Sequence, residues 1–422
     1  MKKLIVCVVS FCAAQAAFSA GFGLYEASAR GNALGGTLVG STRDASAVYY
    51  NPANVTETTN VSVMVGATMV GVYSDVKVDH EKQTRMNPGL FCIPHFFLTV
   101  PLPFDFAVGW GNYCENGLGT KYGDGWDLAG DTIETTLEQF TMGPTLSYKI
   151  TDWWSVGAGM RISYIYFDSK KNPYADAYVP GMGNIAHLSS ELEGDDWSMG
   201  YVAGTSFKLP AGFSLGLVYR SPIRHDINGE FDVDGKLAGN RYARDSDASA
   251  KLNLPQSVTG GLNWDVTDDW RLGFALTWTE WSSVDNIHFN IPAANGGYVQ
   301  PLRWKDVWRV GLGTEYDLFD DRITLRAGYV YDMDPSSRHY GTTMLPSGHR
   351  SIMGLGIGWR IWDTLRLDIG YNLVFMASGS RMIHTDNSAL RAQGLPVEDG
   401  SYDFKTYNSR SHMLAATLSY EF

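Results

Sequence analysis

Nine histidines, at positions 80, 95, 187, 225, 288, 339, 349, 384 and 412, are scattered so that no two stand in the H-x-x-x-H spacing that brings a pair of imidazoles to one metal. No C-x-x-C occurs either. The sequence therefore predicts no metal site and no cofactor. Gly354-Leu355-Gly356-Ile357-Gly358-Trp359 looks like a phosphate loop, but its glycines fall on alternate positions and mark one face of a strand. Neither G-x-S-x-G nor G-x-x-x-x-G-K-S/T is present. Ser411, His412 and Ser419 offer hydroxyls and an imidazole, the residue types an outer-membrane lipid hydrolase needs, although a triad is defined by geometry and not by composition. The reading is a protein that is not an enzyme; that hydrolase and a structural or adhesive barrel are the alternatives.

Charge is what remains. Arg161, Arg271, Arg309, Arg326, Arg350, Arg360 and Arg366, with Glu315 and Asp368, fall on the polar side of alternating segments. Most such groups pair with one another in a polar interior. Pro301 to Asp306 enters the wall from a long loop, which makes Arg303 and Lys305 the candidates for an anionic head group.

The elements that must position these groups are strands. In Leu365 to Phe375 the residues Leu365, Leu367, Ile369, Tyr371, Leu373 and Phe375 share one face, opposite Arg366, Asp368, Gly370 and Asn372. Ile323 to Tyr331 and Trp304 to Tyr316 alternate in the same way, with Trp304, Trp308, Val310, Leu312 and Tyr316 on the apolar side. Segments of about ten residues or more suit a tilted membrane strand better than a soluble sheet. Tight links at 101–104, 149–153, 208–212, 266–270, 317–321 and 361–365 alternate with long loops, as in outer-membrane barrels. Strands are expected at 60–73, 93–101, 104–113, 135–149, 153–168, 195–208, 212–231, 248–266, 270–287, 303–317, 322–333, 349–361, 365–377 and 410–422. The fold class is all-β, a fourteen-stranded antiparallel transmembrane β-barrel spanning 60–422.

Composition agrees. The chain has 13 Trp, 23 Tyr, 19 Phe and 46 Gly, only 18% charged residues, and a net charge of -12, which argues against nucleic acid as a partner. Mean hydropathy is -0.16, too polar for a helical membrane protein. Residues 1–20, with Lys2 and Lys3 before an apolar run ending in Ser19-Ala20, have the layout of a secretory signal peptide. Its removal takes away Cys7 and Cys12 and leaves Cys92 and Cys114. In a hairpin turning at 101–104 these two fall opposite each other, so a cross-strand disulfide is expected in an oxidising periplasm.

Residues 21–59 do not alternate, yet carry Phe22, Leu24, Tyr25, Val48, Tyr49 and Tyr50, which a solvated tail would not use. The lumen of a fourteen-stranded barrel is wider than its own side chains fill, so an N-terminal hatch plugging it would prevent a leak. Asn51-Pro52-Ala53 then makes a rigid bend before the wall begins.

The stretch from Ala20 to Val55, with Asn51, Pro52 and Ala53, resembles the hatch of the FadL family of outer-membrane transporters for long-chain fatty acids and other hydrophobic compounds. Segments at 116–122, 184–204, 217–231, 252–264, 277–287 and 304–316 match in order, so the resemblance covers nearly the whole mature chain. It implies a bacterial outer-membrane channel with a hydrophobic small-molecule ligand. The steps implied are capture by long loops (115–128 and 172–188), transfer to a pocket beside the hatch, and lateral exit at a kink in the third strand. Gly109, Gly111 and Asn112 are the candidates for that opening, because glycine weakens a strand. The implied partners are outer-membrane lipid and lipopolysaccharide, and the barrel-assembly machinery through C-terminal Phe422; the chain is expected to be a monomer.

Overall fold

The computed structural model describes residues 21–79, 83–86, 89–123, 125–126, 128–174, 178–179, 183–294, 296–384, 391 and 397–422; the expected signal peptide lies outside them. Fourteen strands hydrogen-bond in sequence order into a closed antiparallel ring. They are β1 (Ser62–Val78), β2 (Leu90–Pro101), β3 (Phe106–Tyr113, resuming at Gly117–Lys121), β4 (Glu134–Thr151), β5 (Trp154–Lys171) and β6 (Ala186–Lys208). β7 follows as Phe213–Arg220 and Ile223–Leu237, β8 as Asn240–Leu254 and Ser257–Asp265, and β9 as Trp270–Thr279 and Asn286–Asn290. β10 (Val307–Leu318, preceded by the short strand Tyr298–Pro301), β11 (Ile323–Asp332), β12 (Arg350–Trp362), β13 (Leu365–Met376, then Gly379–His384) and β14 (Ser401–Glu421) complete the wall. β14 closes on β1, from Ser62 opposite Glu421 to Val78 opposite Phe404.

Period-two alternation puts the apolar face outside. Leu312, Leu325, Met353, Leu355, Leu414 and Leu418 are exposed, with Trp264, Trp359 and Tyr420 toward the short-turn end and Trp308, Tyr329 and Phe375 toward the other. Arg161, Arg309, Arg326, Arg350, Glu315 and Asp368 are buried in the lumen, on the side where their alternation places them. Several strands run further than expected at the long-loop end, β6 beginning at Ala186 and β14 at Ser401. There the pattern changes meaning: Leu188 and Leu192 point inward while Glu191 and Glu193 face outward. The wall has left the lipid, so water takes the outer face and apolar residues collect within.

Inside the short-turn half lies the hatch. Ser28 caps α1 (Ala29–Ala33), its hydroxyl accepting from the Gly31 amide. α2 (Ala47–Tyr50) leads into a 3-10 turn at Pro52–Glu57 capped by Asn51. This is the bend that proline imposes. Asn51 is buried; its Nδ2 donates to the Val39 carbonyl (2.8 Å) and to Thr205 of the wall (3.1 Å), and its Oδ1 accepts from the Ala53 amide (3.0 Å). Ser147 donates to the Pro52 carbonyl at 2.5 Å. The wall admits the hatch backbone because glycines face it. A Cβ on Gly157 would lie 2.5 Å from the Pro52 carbonyl carbon, one on Gly370 2.6 Å from the Ala29 oxygen, and one on Gly354 2.8 Å from the Ala33 oxygen.

Charge fixes the hatch in register. Arg30 grips Glu315 through Nε and Nη2, both at 3.0 Å, and Asp44 at 2.7 Å. The same Glu315 accepts from Arg271 (2.8 Å) and Arg326 (2.5 Å). Asp317 takes Arg271, and Asp368 takes Arg326 and Arg366. Guanidiniums and carboxylates alternate, so no charge in this buried chain stands alone, as burial requires.

Two outcomes follow from this seating. Gly157→Val should unseat the hatch without dismantling the barrel: ion conductance in planar bilayers rises while heat-modifiable gel mobility persists, and unchanged conductance contradicts the contact. Burial alone would raise the Asp44 carboxyl, but Arg30 and the hydroxyl and amide of Ser46 outweigh it and hold it below its ordinary value. A depressed folded pKa stabilises fully above the unfolded value of about 3.9 and loses that stabilisation as pH falls through the folded one. The protection from hydrogen exchange over residues 21–57, corrected for the intrinsic rate at each pH, should therefore be flat from neutral pH to about 4 and fall below it, relative to Asp44→Asn.

Candidate functional site

Phe22 stands at the seam between two compartments. Above it, toward the long loops, an apolar chamber, closed down to about 20 Å³ by its own side chains, is lined by Phe22, Leu118, Phe167, Leu252, Phe289 and Met344 among others, with no polar side chain in its lining. Trp281 meets Phe22 edge-on at 4.8 Å, and Trp304 packs against both rings. The loops following β3 and β11 roof this region: Tyr122 donates to the Thr343 carbonyl (3.0 Å), and the Thr343 amide to Asp131 (2.7 Å). Loop residues 115–128, expected to capture ligand, thus contribute Leu118 to the chamber; the 172–188 loop lies partly outside the described residues.

Below Phe22 is a larger cavity of about 80 Å³ with a mixed lining, whose polar groups are Tyr25, Tyr49, Glu115, Arg161, Arg220 and Arg309 together with smaller hydroxyl and amide side chains. Glu115 accepts from Arg161 at 2.6 Å and lies 3.3 Å from Arg220, so two guanidiniums share one carboxylate. Arg220 also donates to the Tyr49 carbonyl and covers the Tyr49 ring at 4.9 Å. Arg309 covers Tyr25 at 4.1 Å. Two hatch tyrosines are therefore held by wall arginines through cation-π contacts.

Arg303 and Lys305 do not enter either compartment. The strand begins only at Val307, and the alternation that holds from Leu302 to Lys305 slips where Lys305 and Asp306 are both exposed, which breaks the two-residue period assumed from Trp304 onward. Trp304 consequently turns inward, 6% exposed, while Arg303 and Lys305 are exposed at the rim, Arg303 beside Asp285 at 3.2 Å. The cations lining the polar cavity come from mid-strand positions.

The third strand is broken, but not where its glycines are. Gly109, Gly111 and Asn112 sit in an unbroken ladder with β2, opposite Thr99, Phe97 and Phe96, and the glycines instead leave room for Val48 of the hatch. Pairing with β2 stops at Phe96 and Asn112, while β2 runs on through Leu90 with β1 alone. On the other side β3 pairs with β4 up to Tyr113 opposite Thr141 and resumes with Gly117 opposite Glu138. Three residues, Cys114 to Asn116, there oppose two, a β-bulge that turns the chain inward. The hatch takes up the freed edge: the Leu24 amide donates to the Glu115 carbonyl and the Gly117 amide to the Phe22 carbonyl, both bonds near 2.8 Å (2.7 and 2.8 Å).

The same register removes the expected disulfide. With Phe104 and Asp105 both at left-handed φ, the hairpin turns so that continued pairing would put Cys114 opposite Pro94, not Cys92, and Cys92 and Cys114 are not bonded to each other. The hydrolase constellation fails likewise: His412 faces lipid, bonded to Tyr371, while Ser411 is buried on the lumen side. Among the described residues no group of His, Cys, Asp and Glu has the geometry to hold a metal.

Similarity to known proteins accords with this architecture. The chain is 25% identical to the long-chain fatty acid transport protein of Salmonella typhi, over all of this chain and 98% of that one, and 24% identical to outer membrane protein P1 of Haemophilus influenzae over 70% and 68%. Its fold matches a crystal structure of a Pseudomonas aeruginosa FadL homologue, with a TM-score of 0.82 at 21% identity over 95% of this chain and all of that one. It also matches the Pseudomonas putida toluene transporter TodX, with a TM-score of 0.73 at 18% identity over 94% and 98%. A family model described as outer membrane protein transport protein (OMPP1/FadL/TodX) matches residues 10–422, and the chain belongs to that family of outer-membrane channels.

Proposed function

We propose that this channel carries hydrophobic molecules bearing one carboxylate, long-chain fatty acids foremost, from the outer surface to the membrane plane. The observation that carries the reading is the seam at Phe22, where a wholly apolar chamber meets Arg161 and Arg220 sharing the single carboxylate of Glu115. A fatty acid has the same two parts. Its tail gains by leaving water for the chamber, and its carboxylate gains charge-assisted hydrogen bonds from guanidiniums that are buried, Arg161, or nearly so, Arg220. The name of the Salmonella typhi relative agrees with this substrate class. An uncharged hydrocarbon, as carried by the toluene transporters it resembles in fold, would use the chamber alone.

Uptake then proceeds in steps. Arg303 and Lys305, exposed at the rim, draw the anion toward the loops. The tail enters the chamber and displaces the contact of Phe22 with Trp281 and Trp304. The head group reaches Arg220 and competes with Glu115 and with the Tyr49 carbonyl, loosening the hatch. The ligand leaves sideways through the break at Cys114 to Asn116, where β2 and β3 are not paired. Asn51, Pro52 and Ala53 stay seated as the pivot, since their contacts lie at the short-turn end of β4, β5 and β6, away from the break. The ring closes within one chain, and the edge freed in β3 is taken up by the hatch, which supports a monomer in lipid and lipopolysaccharide. Phe422, 71% exposed at the short-turn end, is the contact offered to the barrel-assembly machinery.

Arg220→Gln tests the head-group site while leaving Glu115 paired with Arg161. Fatty acid affinity should fall roughly tenfold or more, as loss of a charged hydrogen bond implies, while uptake of toluene stays unchanged. Equal loss of both, or loss of neither, contradicts the reading; mass spectrometry of lipids extracted from the purified protein gives an independent check.

A further inference from the structure

Ser163, His225 and Asp196 have the spacing of a hydrolytic triad, with Ser163 Oγ 3.0 Å from His225 Nε2 and His225 Nδ1 2.9 Å from Asp196 Oδ2. The serine is fully buried, however, and its oxygen is already occupied by Gln139, whose Nε2 donates to it at 2.8 Å. Gln139 Nε2 also donates to Thr141 at 2.6 Å. With its nitrogen so engaged, the Gln139 oxygen faces the bulge and accepts from the main-chain amides of Glu115 (3.1 Å) and Asn116 (3.0 Å). Those are the amides that the interrupted ladder leaves without a strand partner.

We propose that Gln139 is the positioning residue that keeps the third strand bent inward and the wall open, and that Asp196, His225 and Ser163 form a relay that sets its orientation. The proposal rests on the lateral-exit reading for its consequence in transport, not for its geometry. The relay follows from donor and acceptor roles. A carboxylate cannot donate, so in the neutral imidazole the proton sits on His225 Nδ1 and Nε2 accepts. The Ser163 hydroxyl must then donate to Nε2, which presents its lone pairs to Gln139 and fixes which end of the amide faces the bulge. Reversing that amide would set NH₂ against two main-chain N–H groups, leaving buried donors unpaired. Thr141 ties the arrangement to the head-group cavity by donating to Glu115 at 3.0 Å.

Two variants probe it with the native thiols as reporters. If β3 straightens along its existing register, Cys114 falls opposite Pro94 and Cys92 opposite Asn116, making the cysteines diagonal neighbours on one face, about 7 Å apart. Gln139→Leu removes the clamp. Asp196→Leu removes the carboxylate that accepts from Nδ1, so nothing holds the imidazole proton there and the relay loses its direction. Both should increase cross-linking of Cys92 to Cys114 by a short bis-thiol reagent several-fold over wild type, in protein that retains heat-modifiable mobility. Both should lower uptake roughly tenfold, as loss of one or two net hydrogen bonds implies. Cross-linking at the wild-type level in folded Asp196→Leu overturns the relay, and in Gln139→Leu the clamp; if Gln139→Leu does not fold, Asp196→Leu decides alone. Increased cross-linking with undiminished uptake supports the clamp and overturns the lateral exit.

Discussion

Two main-chain hydrogen bonds join the start of the hatch to the broken third strand, Leu24 to Glu115 and Gly117 to Phe22, and the rest of the site is arranged around them. A sheet edge inside a membrane protein must be paired or covered, because its amides and carbonyls have no water to turn to. Here the barrel interrupts its own ladder and lets its N-terminus complete it from within. The plug and the gap in the wall are consequently one feature. Whatever moves Phe22 also disturbs the edge at Glu115, and the chamber, the polar cavity and the exit all meet at that point.

The lumen has two storeys with opposite chemistry. At hatch level the wall offers glycines and paired charges; Glu315 alone gathers three guanidiniums, and losing its charge would leave a buried cluster unbalanced at a cost of about 3–5 kcal/mol. At chamber level the same strands present Leu188, Ile227, Phe231 and Leu252. A ligand descending from the loops therefore gains apolar burial until Phe22 and then meets arginine. A hatch held by ion pairs and close backbone contact at its far side, and by aromatic and cation-π contacts near Tyr25 and Tyr49, is firm at its pivot and softer where the ligand arrives.

Much of this was legible in the sequence. Alternation fixed the lipid and lumen faces of β10 to β14, and alternate glycines at 354, 356 and 358 marked a strand face that the hatch in fact uses. The bend at Asn51 and Pro52 could be read from proline geometry alone. Strand ends could not, because above the membrane the apolar side changes from outer to inner while the period stays two, as at Leu188 and Leu192. Arg303 and Lys305 were misplaced since one extra exposed residue, Asp306, slips the alternation just ahead of Val307. The break in β3 was missed because its cause is a register difference between two neighbouring strands, which local composition does not record; its only trace is Gln139, a buried amide on an otherwise ordinary strand. The Cys92 and Cys114 pairing failed through two residues of hairpin register.

The union of hatch and broken strand can be measured by tethering it. Gly23 and Asn116 form an antiparallel bridge; with Cys92 and Cys114 replaced by serine, Gly23→Cys and Asn116→Cys would allow a disulfide there. Uptake that stops on oxidation and returns on reduction is the result expected if the N-terminus must part from the third strand for ligand to pass. Undiminished uptake through the fully oxidised protein would mean that this junction is only a structural seam.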